Sequence, residues 1–435
     1  MSQSLAKDFN FRSLLKFAFP SIIMMIFMSL YSIVDGFFIA QYVDSMALSA
    51  ANIVYPAVSI LLAVGIMFGT GGSAVVAAKI GQGKQEEANR NFSALTLTTL
   101  IIGILGAVLG NLFCRQICSL LGATPVLMDY GTAYLRTILS FAPVCLLQAL
   151  FQSFFVTAGR PGLGLSLTVS AGITNMLLDY LFVVPLHLGV AGAALATGFA
   201  RKGLRFTRPE FSKGLLSTSC FNGSSEMVSN LSAAVVTYLF NMLMLKFEGE
   251  IGVAAITAIL YGQFLFVALY LGYSIGVAPV FSFNYGSRNK QRLIRLYRIS
   301  IRFVVVSSVI IALVAAFGSP VISAVFMQKG TYGFELTRHG GYLFSIAYLF
   351  CGTNIVASGI FTALSDGKTS ALISFLRTFV FIVLSALLLP LVLGTNGVWL
   401  SIPVAEFLTL FISVPKLSRY FRDPKVAPET QTSPN

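Results

Sequence analysis

The sequence predicts an all-α polytopic membrane protein, built as two six-helix bundles related by a parallel repeat, with a shortened sixth span. Three observations carry this. The 435 residues are 56% hydrophobic and 10% charged, with mean hydropathy +0.83, whereas a soluble chain carries about 25% charge. The apolar residues come in long runs rather than in alternating ten-residue segments, which selects helices over a barrel. Basic residues gather in every second loop.

Apolar segments fall at 17–40, 52–78, 93–113, 132–157, 164–186, 190–204, 214–245, 252–284, 299–325, 341–364, 370–393 and 397–415, giving twelve spans. Lys7, Arg12 and Lys16 precede span 1. Lys79, Lys84 and Arg90 follow span 2, and Arg160 follows span 4. The run from Arg201 to Lys213 follows span 6, and that from Arg288 to Arg302 follows span 8. Lys368 follows span 10, and Lys416 to Lys425 close the chain. That places 23 of the 29 Lys and Arg on one side. By the positive-inside rule this side is cytoplasmic, and both termini lie there. The expected location is the cell membrane, multi-pass. The net charge of +13 is then a property of loops and calls for no nucleic acid. The first apolar segment is too long for a cleavable signal peptide and has no small-residue cleavage site behind it.

Span 6 is anomalous. After 190–200 the basic residues begin at once, and eleven apolar residues reach only about 17 Å of the ~30 Å hydrocarbon core. If the segment does not cross, the 288–298 cluster changes side against the charge rule. The reading adopted is a short or tilted crossing, with Arg201 and Lys202 snorkelling. A defective span in a shortened variant is the alternative. The lobes are expected at 1–209 and 210–425, with a disordered tail over 426–435.

The halves repeat. Leu14-Leu15 and Leu215-Leu216 open them, and 32–35 answers 234–237. Ile80-Gly81-Gln82-Gly83-Lys84 answers Tyr285-Gly286-Ser287-Arg288-Asn289, and Ala158-Gly159-Arg160 answers Asp366-Gly367-Lys368. Six spans per half keep both in one orientation, an arrangement many secondary transporters use around a cavity. The repeat is asymmetric: Thr237 stands where Asp35 does, and the counterpart of Asp179 falls near Leu387.

An ionisable group inside a span is costly and marks function by default. Asp35, Asp179 and Thr197 all sit roughly 8–12 Å below the outer surface at ~1.5 Å per residue. Tyr31 shares a helix face with Asp35, as Asn175 does with Asp179. Two carboxylates at one depth resist being charged together, which suits H+ or Na+ coupling. For each acid the competing reading is a lone carboxylate neutralised by a local hydrogen bond. Asn175 and Thr197 could equally be helix-packing hydrogen bonders. Glu226, about twelve residues into span 7, could face the cavity or be structural. Arg377 and Glu406 are read as a structural pair.

The remaining features are bland. The five cysteines are packing residues, and Cys114 with Cys118 is too little for a metal site. His187 and His339 are surface residues. The 65–72 glycine run lacks the Gly-Lys-Ser/Thr ending of a phosphate loop. No triad, metal cluster or cofactor motif suggests an enzyme.

Several stretches together resemble the multidrug and toxic compound extrusion (MATE) family, over essentially the whole chain except span 6. They are 65–73, 79–88, 278–286 and Asn175-Met176-Leu177-Leu178-Asp179. Pro20 is similar to the span-1 proline of the prokaryotic DinF-like branch, whose bending accompanies protonation, and Gly192 to Thr197 is similar to that branch's span 6. The resemblance implies a monomeric secondary antiporter that exports organic cations or amphipathic compounds in exchange for H+ or Na+, without a cofactor. It also implies that Asp35, Asn175, Asp179 and Thr197 form a first-lobe site for ion and substrate. Two alternatives are weighed. A lipid-linked oligosaccharide flippase of similar fold would need several cavity cations, and Arg377 is the one clear mid-span cation. A transport-defective shortened variant rests on span 6 alone.

Overall fold

The computed structural model describes residues 5, 7–42, 45–121, 125–182, 204–210 and 214–422. At 31–42, 45–53, 55, 126, 171 and 174–182 it describes the backbone alone. The first bundle holds α1 (Phe11–Tyr42), α2 (Ser45–Gly81), α3 (Gln85–Leu112), α4 (Cys114–Leu120), α5 (Pro125–Ser140), α6 (Ala142–Thr157) and α7 (Pro161–Phe182). The second holds α8 (Leu215–Gly286), α9 (Lys290–Phe326), α10 (Tyr332–Ser345), α11 (Tyr348–Ala363), α12 (Gly367–Phe375), α13 (Phe381–Leu393) and α14 (Thr395–Arg422).

These helices carry every expected span except the sixth, whose segment lies outside the described residues. Their apolar runs leave backbone groups nothing else to bond within a bilayer. Side chains such as Leu120, Phe317 and Val392 face outward, as a lipid-facing surface requires. α8 is two spans, because Gly249 (φ 64°, ψ −153°) reverses the chain. Its two ends accordingly pack against the same helix, α2. Two expected spans are not straight. α5 and α6 meet at 53°, and α10 and α11 at 52°. These matching bends in spans 4 and 10 are a structural signature of the repeat.

The turns sharpen it. After spans 2, 4, 8 and 10 the chain closes with the same Schellman pattern. Its long bonds run from Lys84 N to Lys79 O (3.0 Å), Arg160 N to Phe155 O (3.0 Å), Asn289 N to Asn284 O (3.0 Å) and Asp366 N to Phe361 O (2.9 Å). The left-handed residues are Gly83, Gly159, Arg288 and Ser365. Gly83 and Arg288 are equivalent, as the sequence repeat has it. Gly159 pairs with Ser365, so Leu364-Ser365-Asp366 answers Ala158-Gly159-Arg160, two residues before the expected match. Gly367 misleads because its glycine serves packing: a Cβ there would strike the Phe221 carbonyl.

All four turns lie on one face, and so do the described ends of the chain. Asp8 bonds Arg292, and Phe421 stacks on Tyr297. The chain leaves this face at Pro161 and is back on it by Leu204. The amide of Thr207 donates to Ser93 Oγ (2.8 Å), Arg90 pairs with Glu210, and Phe206 packs on Phe92.

On this face the bundles close on each other through glycines. A Cβ on Gly81 would strike the Phe283 carbonyl, and one on Gly286 the Ala78 carbonyl. Deeper, Gly71 meets the Ser219 carbonyl and Gly223 the Met67 carbonyl. α1 runs antiparallel to the second part of α8. Ala18 lies beside Gly276, Ser21 beside Gly272, and Ser29 Oγ donates to Phe264 O at 3.3 Å.

Candidate functional site

The first-lobe candidates sit on α1 and α7, which leave the basic face in parallel. The helices touch where the Phe27 ring lies against Gly172; a Cβ there would come within 2.5 Å of it. Counting outward, Tyr31 and Asp35 are four and eight residues past Phe27. Asn175 and Asp179 are three and seven past Gly172. At ~1.5 Å per residue the backbone register sets Tyr31 level with Asn175 and Asp35 level with Asp179. Thr197 lies outside the described residues. Pro20 sits half-buried inside α1. Its ring nitrogen cannot donate to the Lys16 carbonyl, so α1 lacks one hydrogen bond on the approach to Asp35.

In the second lobe the side chains are described. Spans 7, 10, 11 and 12 converge on a buried polar cluster. Arg377 Nη1 donates to Glu406 Oε1 at 3.0 Å, the pairing expected from sequence. Asn354 Nδ2 donates to Glu406 Oε2 at 2.7 Å and to the Glu406 carbonyl at 2.8 Å, and Asn354 Oδ1 accepts from Ser413 Oγ at 2.6 Å. Arg377 lies in a π-helical turn, Leu376–Val380, a local widening often found where a helix presents a special side chain.

Glu226 is half-buried within electrostatic reach of Arg377. Among the described residues its carboxylate makes no ion pair or hydrogen bond. Arg377 pairs with Glu406, which leaves Glu226 beside that pair without a partner among the described residues. Beside it, Ser225 contacts Thr362 (3.3 Å). Thr362 contacts Ser370 (2.7 Å), and Ser370 and Ser374 each reach Ser358 at 2.8 Å. The sequence reading missed this hydroxyl ladder and the Asn354 hub. Their signal was present as small polar residues spaced four apart, Ser358 with Thr362 and Ser370 with Ser374. Among the described residues no group of three His, Cys, Asp or Glu could hold a metal ion. Cys114 and Cys118 are buried packing residues, and His339 bonds Asn396; His187 lies outside the described residues.

The MatE family's sequence profile matches residues 20–181 and 227–387, one stretch in each bundle. The chain belongs to the MatE family. Pro20, Tyr31, Asp35, Asn175 and Asp179 fall in the first matched stretch; Glu226 precedes the second by one residue. The chain is 24% identical to the multidrug export protein MepA of Staphylococcus haemolyticus, over 93% of this chain and 92% of that protein. Among solved MatE-family structures, one described as the outward-facing conformation of a multidrug resistance MATE family transporter matches with TM-score 0.87 and 20% identity, over 96% of this chain and 97% of that one. A MATE structure in a straight conformation matches equally, with TM-score 0.87, 20% identity and the same shares of both chains. At that identity the likeness establishes the fold.

Proposed function

We propose that this chain is a secondary active antiporter that exports organic cations or amphipathic drugs across the cell membrane in exchange for H+ or Na+. The observation that carries this reading is the likeness, along nearly the whole chain, to proteins named for multidrug export. The lobes are 1–209 and 210–425, the basic face is cytoplasmic with both termini on it, and the protein works as a monomer.

The chemistry follows from two carboxylates at one level. Asp35 and Asp179 in a low-dielectric lobe resist double ionisation, so either a proton or a shared Na+ relieves them. A cationic substrate competes for the same charge. Ion loading in the outward-open state therefore expels substrate, and opposite preferences of ion and substrate drive the exchange. Tyr31, Asn175 and Thr197 line this site, and Glu226 offers a second acid in the other lobe. Pro20, where α1 lacks a hydrogen bond, is the point at which α1 yields when the charge changes. The glycine closure of the basic face supports an outward-open starting state.

A flippase needs unpaired cavity cations to hold pyrophosphate, and Arg377 is already committed to Glu406. Efflux of a cationic dye from proteoliposomes under separately imposed H+ and Na+ gradients tests the antiporter reading. One gradient should drive efflux; no efflux under either, from folded protein, would sink it.

A further inference from the structure

The cytoplasmic start of α9 carries more charge than a span anchor requires, and it carries it in a groove. Gln291, Arg295, Arg298 and Arg302 recur along one stripe over three turns, with Ile294 and Ile299 between them, and line a groove of about 460 Å³. Arg295, Arg298 and Arg302 are all exposed. Asp8 takes Arg292 at 2.8 Å and lies 3.8 Å from Arg295. Arg298 and Arg302 have no carboxylate in ion-pair range among the described residues. The stripe does not stop at the charges. Val306, Val309, Leu313 and Phe317 continue it along α9, all exposed. One helix face thus presents stacked cationic side chains, then aliphatic side chains in the same line.

We propose that this face is a binding site for an anionic glycerophospholipid, with its headgroup phosphate held by Arg298 and Arg302 and its acyl chains laid along Val306 to Phe317. Guanidinium groups match phosphate oxygens with paired donors. Basic grooves at the cytoplasmic ends of spans are where such headgroups bind. Arg302 is the deepest of the three, directly before the apolar run, so a phosphate there stays at headgroup level while its chains enter the hydrocarbon. A soluble polyanion would satisfy the arginines and leave the apolar continuation uncovered, which is why a lipid is the occupant that fits.

Native mass spectrometry of the full-length protein, purified from bilayers containing phosphatidylethanolamine and phosphatidylglycerol, tests this. The wild type should retain phosphatidylglycerol in preference to phosphatidylethanolamine. The double variant R298Q/R302Q should lose about tenfold of that retention, while R298K/R302K, which keeps the charge but not the paired donors, should fall between it and the wild type. R160Q/K368Q removes two exposed charges from the same face outside the groove and should change retention little. Equal loss in R298Q/R302Q and R160Q/K368Q would show a diffuse effect of the basic face and overturn the site. So would equal retention of both lipids by the wild type. Displacement of phosphatidylglycerol by an equal concentration of soluble glycerophosphoglycerol would show that the chains contribute nothing, and would overturn the lipid assignment.

Discussion

Arg377 and Glu406 form a 3.0 Å ion pair deep in the second bundle, with Asn354 holding the other carboxylate oxygen at 2.7 Å. Removing one partner strands a buried charge, which typically costs about 3–5 kcal/mol. Glu406→Ala and Arg377→Ala should each lower the thermal melting temperature in detergent markedly. The double replacement Arg377→Met with Glu406→Leu should recover most of the loss. Additive losses in the double variant would contradict a pair whose role is mutual neutralisation.

Asp35 and Asp179 should behave as a coupled unit. Asp35→Asn with Asp179→Asn should reduce ion-driven dye efflux about a hundredfold, the scale set by losing roughly 3 kcal/mol of coupling, with melting temperature preserved. Either single change should leave a residual efflux whose pH dependence is shifted from the wild type. Unchanged efflux in the folded double variant would remove these residues from the mechanism.

Gly81 and Gly286 leave no room for a methyl group. Gly81→Ala and Gly286→Ala push a Cβ into a facing carbonyl, so each should disfavour closure of the basic face. The readout is a Ser219→Cys reporter, buried in the seam, in a chain whose five native cysteines are replaced. Its labelling by an impermeant maleimide from the cytoplasmic side should rise severalfold. Gly162→Ala, where nothing lies within 4 Å, is the silent control.

Topology is checked by the same chemistry. Cysteines at Arg208 and Arg160 should label only from the cytoplasmic side, and one at Lys329 only from outside. Labelling of position 208 from outside would invert the second bundle.

Much of this fold is written in hydropathy and charge. The spans, the parity of the loops and the Arg377–Glu406 pair all follow from the cost of placing charge or bare backbone in hydrocarbon. The bends near Phe141 and Ile346 do not: Pro143 stands in the first turn of α6, where a proline suits a helix start as well as a break, and the second bend has no proline beside it. The hydroxyl ladder from Ser225 to Ser374 was only half legible: the four-residue spacing shows in the sequence, the partners do not. A serine in a membrane helix can bond its own backbone four residues back, as Ser229 does, so its sequence position does not reveal a partner in another helix. The repeat register slipped at Gly367 because glycine serves two ends, left-handed turns and close packing.

The four Schellman turns are not equal in conformational strain. The first bundle places glycine at its left-handed positions, Gly83 and Gly159, and the second places Arg288 and Ser365 there, with φ 56° and 61°. A side chain in that conformation costs about 1–2 kcal/mol. The Asn289 and Asp366 side chains that cap the following helices partly offset it. Arg288→Gly and Ser365→Gly therefore offer a protein engineer two independent increments of thermostability, each of about 1 kcal/mol, at turns remote from Asp35 and Asp179. A preparation hardened in this way would survive detergent longer while still moving its cargo, which makes these turns the place to begin when purified transporter is the limiting reagent.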